Sequence, residues 1–200
     1  MKSSLPSTIG SVRYEALWPA HLFDDGVGWI IVARFKPGGR RVQVGVFLVD
    51  VFCLGAKLAV YEKCDVQDYR QRISEHYVAN FALVAVEPGC ARQLLEQAVQ
   101  YARHLGFAPH PDYAKASRVF ADAAIEAGDR QFTFGFKGKP FYRRGPRETE
   151  AQARSIIRHL EQRCGPGNYD YLVRLGDAEQ ISRDLGYQTQ PGRSDTVYPV

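Results

Sequence analysis

The chain has 200 residues, 45% of them hydrophobic and 24% charged, with a formal net charge of +4. That length suits one substantial core, with two small domains as the lesser alternative, and the composition is ordinary for a globular protein. No apolar run approaches the roughly 20 residues of a membrane helix, and the first residues lack a secretory apolar segment, so the reading is a cytoplasmic protein with no membrane partner.

Residues 1–12 read as a flexible tail. The β-rich runs 28–35 and 42–54 flank "KPGGRR" and predict a long β-hairpin. The second run is apolar on both faces, with Val44, Val46 and Leu48 beside Asp50 on one and Phe47, Val49 and Val51 on the other. Such a strand is either central and covered on both faces, or half-covered inside an oligomer. Residues 65–78 suggest a short helix capped by Asp65, and 81–86 a strand or a lead into the next helix. That helix is the clearest element. Pro88 suits its first turn, Ala91, Leu94, Leu95, Ala98, Ala102 and Leu105 form an apolar stripe, and Gly106 suits its stop.

Pro111 opens a further helix with Tyr113, Ala116 and Phe120 inward. Residues 130–146, "RQFTFGFKGKPFYRRGP", alternate like a second hairpin turning at Lys137–Gly138–Lys139. Thr149 and Gln152 fit a capping box for a helix with Ala153, Ile157, Leu160 and Cys164 inward. A late strand or short helix follows at 169–176, and residues 188–200 read as a second flexible tail. The whole predicts an α+β fold: one domain over 13–187, with an antiparallel sheet of β-hairpins packed against about three amphipathic helices.

The cysteines Cys53, Cys64, Cys90 and Cys164 are scattered and suit reduced thiols; a zinc site needs closer spacing. Charge is uneven. Residues 130–163 hold nine Lys or Arg against three Glu, a net of +6 that leaves −2 for the rest of the chain. Arg34, Lys36, Arg40 and Arg41 surround the first turn.

Two stretches, "GVFLVDVFCLGAK" (45–57) and "YARHLGFAPHPDYAKA" (101–116), together resemble segments of an uncharacterised family of bacterial proteins. In that family the first stretch runs on as Gly-Val-Lys-Asp, whereas here it is Gly55-Ala56-Lys57-Leu58. The resemblance implies a bacterial or phage-like cytoplasmic protein and brings no activity with it.

Three places carry candidate chemistry. Asp50 is a carboxylate in an apolar strand. It is either the centre of a Mg²⁺-dependent nuclease or other hydrolase, with Glu87, Asp112 or Asp122 as partners, or a structural group satisfied by Lys57 or backbone N–H. His110 and Asp112 in "PHPDY" form an acid/base pair, hold a phosphate near the helix N-terminus, or serve only as a helix entry. Cys53 with His110 is a nucleophile–base pair by residue type alone. The third place is the basic segment, where Lys137, Lys139, Arg143, Arg144, Arg147, Arg154 and Arg158 interleave with Phe136, Phe141 and Tyr142. Cations neutralise phosphates, and exposed aromatics stack on bases.

The leading expectation is a binding protein without a cofactor that contacts nucleic acid or a nucleoprotein partner through 130–163. The alternatives are the Asp50 hydrolase, the only reading that calls for Mg²⁺, and an oligomeric scaffold or immunity-type protein acting by contact with its own copies or a protein partner.

Overall fold

The computed structural model describes residues 8–9, 12–36, 38, 40–121 and 130–173. The chain divides into two compact units between Phe141 and Tyr142, a boundary inside the segment expected as one domain.

The first unit is built on an antiparallel sheet. In chain order it contains β1 (Thr8–Ile9), β2 (Val12–Pro19), a helical turn α1 (Leu22–Asp25), β3 (Val27–Phe35), β4 (Arg41–Asp50) and β5 (Gly55–Asp65). A helical stretch follows, as α2 (Val66–Asp68), a π-helical segment (Tyr69–Glu75) and α3 (His76–Phe81). Then come β6 (Leu83–Val86), α4 (Pro88–His104), α5 (Tyr113–Ala116) and a 3₁₀ turn (Ser117–Phe120). The strands lie in the order β1-β2-β3-β4-β5, and β6 pairs with β2.

The sheet is covered on both faces, because β3 and β4 alternate apolar residues toward each side. One face packs Tyr14, Ile30, Val32, Phe47 and Val49 against Leu94, Leu95 and Ala98 of α4 and Ala116, Val119 and Phe120 beyond it. The other packs Ile31, Phe35, Val42 and Val44 against Tyr69 and Ile73 of the π segment. Fully burying a side chain such as Leu94 or Ile31 contributes about 1.5–3 kcal/mol. The α+β class and the first hairpin are therefore as expected, with β3 and β4 paired from Val27↔Asp50 to Phe35↔Val42.

Several local expectations need correction. The strand pattern of 42–54 stops at Asp50, and residues 51–54 turn the chain into β5. Within the segment read as an N-terminal tail, Thr8 and Ile9 pair with Arg13 and Val12. The second hairpin reduces to its turn. Phe136 and Lys139 exchange backbone hydrogen bonds of 2.8 and 3.0 Å, and Lys137 and Gly138 both take positive φ, as a two-residue hairpin turn requires. Its first arm forms no ladder. Phe132 and Phe134 pack on the core instead, so their alternation reports burial and not strand pairing. Residues 188–200 lie outside the described residues.

The second unit contains α6 (Glu150–Cys164), β8 (Asp170–Leu172) and most of β7 (Phe141–Arg143), the strand in which the boundary falls. β7 pairs with β8. Thr149 closes the capping box as expected: its hydroxyl accepts from Gln152 N, and Gln152 Oε1 accepts from Thr149 N at 2.8 Å. Tyr142, Ala153, Ile157, Leu160 and Tyr169 are buried.

Candidate functional site

Asp50 ends β4, in register with Val27 on one side and Gly55 on the other. It is only 2% exposed. Its Oδ1 accepts from the backbone N–H of Phe52 at 2.9 Å and of Cys53 at 2.8 Å. The carboxylate thus supplies acceptors to a turn whose donors would otherwise be buried without partners, as Asp commonly does for the residues that follow it. Burial raises its pKa from 3.8 to about 6, opposed by the Lys57 charge and by hydrogen bonds from Cys53, Phe52 and Leu54. The turn is fixed by two glycines. Gly26 donates to Leu22 O, accepts from Val51 N and takes positive φ; a Cβ there would meet the Phe52 ring at 2.1 Å. Gly55 also takes positive φ, and a Cβ there would meet Ala98 O at 2.9 Å and Ala102 Cβ at 2.8 Å. The motif 45–55 is therefore a strand, an aspartate-capped turn and a glycine on which α4 rests.

The hydrolase reading needs several acids gathered at Asp50. Among the described residues no three or more His, Cys, Asp or Glu stand together as a metal ion would require, so Glu87 and Asp112 do not join Asp50 in such a set. Asp122 lies outside the described residues. His110 and Asp112 make local contacts. His110 N donates to Ala56 O at 2.8 Å, tying this loop to the start of β5. The His110 ring nitrogen Nδ1 accepts from Asp112 N at 3.2 Å, and Asp112 precedes α5 with no side-chain cap. Cys53, Cys64 and Cys90 are buried, Cys164 is half-buried, and none of the four is in a disulfide.

Two side-chain clusters had no local signal in the sequence. Tyr69 O–H donates to Glu15 Oε1 at 2.9 Å, and Arg70 reaches Glu15 Oε1 at 3.1 Å and Oε2 at 3.0 Å. Burial first, and then the Glu15 charge, push the Tyr69 hydroxyl well above its ordinary value, so it stays a proton donor to Glu15. Arg13 lies over the Phe35 ring at 4.1 Å. This cluster clamps the π segment to β2. The partners stand 54 and 55 residues apart in the chain. The second cluster is smaller: Arg130 donates to Cys90 Sγ at 2.9 Å.

The basic segment is split by the unit boundary. Lys137 and Lys139 are exposed at the turn of the first unit, with Lys137 over the Phe136 ring at 5.2 Å. Of the aromatics expected to stack on bases, Phe136 stays 38% exposed while contacting Phe52, Phe141 is half-buried against the same ring, and Tyr142 is fully buried. In the second unit Arg143, Arg147 and Arg158 are exposed, as is Arg163. Arg144 donates through Nε to Glu148 O at 3.0 Å, and Arg154 pairs with Glu150 at 2.6 Å. Glu148 is taken up internally, accepting from Tyr142 O–H at 2.7 Å and Gly145 N at 2.9 Å.

No known family, curated protein or solved structure matches the chain. No described helix is long and apolar enough to cross a membrane.

Proposed function

We propose that this chain is a binding protein, and that its second unit contacts nucleic acid through arginine side chains. One observation carries the reading. In residues 142–173 the exposed ionised side chains are Arg143, Arg147, Arg158, Arg163 and one carboxylate, Asp170, while Glu148, Glu150 and Glu161 are partly withdrawn from solvent. Hydrogen bonds inside the unit hold Glu148, and an ion pair holds Glu150. The exposed ionised side chains of the described part of this unit are therefore mostly cationic, and exposed cations attract phosphates. A catalytic role for Asp50 has less support, because its carboxylate is engaged by the backbone of its own turn.

Fluorescence polarisation with a labelled duplex and a labelled single strand tests the reading. If the four arginines each neutralise a phosphate, the duplex affinity falls about a hundredfold between 50 and 200 mM salt, from a slope of roughly −0.9 per contact. Arg147→Glu with Arg158→Glu then weakens binding on every sequence alike. Affinity that does not change with salt, or no binding at the lower salt, refutes it.

A further inference from the structure

The two edges of the first unit's sheet are unlike. One is broken into β1, two residues long, and β6, four residues long. The other is β5, eleven residues long. Short strands are a common protection for an edge, and a long one is a template for another strand.

Backbone direction along β5 follows from two hydrogen bonds at its start. Val51 N donates to Gly26 O and His110 N donates to Ala56 O, so Val49 faces β3 and Ala56 faces away from β4. Past the bulge at Leu48/Val49, Leu58 pairs with Leu48. Alternation then directs the N–H and C=O of Ala59, Tyr61 and Lys63 outward. Among the described residues nothing pairs with these groups. The strand carries a run of four apolar residues, Leu58–Tyr61, bracketed by Lys57 on one side and Glu62, Lys63 and Asp65 on the other.

We propose that β5 pairs antiparallel with β5 of a second copy of this chain, about a twofold axis at Tyr61. The charges select both the occupant and the register. A perpendicular twofold axis places a residue opposite its own copy, so the central choices are Val60, Tyr61 and Glu62. Centring on Val60 sets Lys57 against the second copy's Lys63. Centring on Glu62 sets two carboxylates face to face. Centring on Tyr61 sets Lys57 against Asp65 and Val60 against Glu62, and it joins Ala59, Tyr61 and Lys63 to outward-facing groups of the other copy. That register satisfies all three outward residues of each strand, and the two sheets become one. The inference stands on the first unit alone and is independent of nucleic-acid binding.

Sedimentation equilibrium of the full chain, across about three decades of concentration up to about 1 mM, tests it. The wild type is expected to dimerise reversibly. Val60 is 44% exposed, so it tolerates charge. Val60→Glu sets like charges opposite each other twice and is expected to raise the dimer Kd about tenfold. Val60→Lys sets Lys against Glu62 and leaves Kd unchanged or lower. A Val60→Cys/Glu62→Cys variant is expected to oxidise to a covalent dimer, and Val60→Cys alone is not, because only the opposite pair comes within disulfide reach. A monomer at all concentrations overturns the proposal. So does equal weakening by Glu and Lys at position 60, or cross-linking by Val60→Cys alone as efficient as by the double variant. Should Val60→Glu fail to fold, the lysine and cysteine variants decide.

Discussion

Replacing Asp50 by Asn and by Ala separates a turn-forming carboxylate from a reactive one. Raising a carboxyl from 3.8 to about 6 corresponds to about 3 kcal/mol, at about 1.36 kcal/mol per pH unit. The sign is unfavourable to the ionised form. Between pH 4 and 6 the folded protein binds the proton and the unfolded chain has released it, so stability falls as pH rises through that window and stays low above it. Asn keeps an acceptor for Phe52 N and Cys53 N and carries no charge. Asp50→Asn is therefore expected to be neutral near pH 4 and stabilising at pH 7.5, with the difference approaching about 3 kcal/mol. Ala leaves two buried donors without partners, at about 1–3 kcal/mol each, and is destabilising at both pH values. Urea unfolding followed by fluorescence of Trp18 and Trp29 reports on this unit. The reasoning is refuted if Asn costs as much as Ala, or if the difference between Asn and wild type is the same at both pH values.

Three further outcomes follow from named contacts. Gly55→Ala forces a Cβ into positive φ and against Ala98 O, and is expected to cost about 2 kcal/mol or more, read from the urea midpoint. Tyr69→Phe removes the hydrogen bond to Glu15 and should cost about 1 kcal/mol, with faster amide exchange in the π segment as the specific sign. Thr149→Ala opens the capping box and should cost α6 about 1 kcal/mol, visible as a lower helical melting temperature, while Thr149→Ser should retain most of that stability.

The elements legible from the sequence were those whose signals are local. α4 runs from Pro88 to His104 with Ala91, Leu94, Leu95, Ala98 and Ala102 of its stripe buried as the 3.6-residue spacing requires, and α6 begins at its Thr149–Gln152 box. The β3–β4 hairpin followed from two β-rich runs around a turn. β5 was invisible for a physical reason. Lys57, Glu62 and Lys63 blur its alternation, and the bulge opposite Leu48/Val49 shifts the face its residues take, so only pairing with β4 defines it. The aromatics of 132–141 misled because rings that pack partly against a core can alternate as strand residues do.

The charge of Asp50 shows the same division. By itself the sequence determined that a carboxylate sits in the most apolar strand, and that it must be satisfied or neutralised there, because burying an unpaired charge costs too much. Only the tertiary structure decided what satisfies it. The donors are Phe52 and Cys53, two and three residues on, but their N–H groups converge on one oxygen only because Gly26 and Gly55 let the turn close against Phe52 and α4. Sequence specifies residue types and local periods. The partner of each polar group depends on backbone direction, which long-range packing sets.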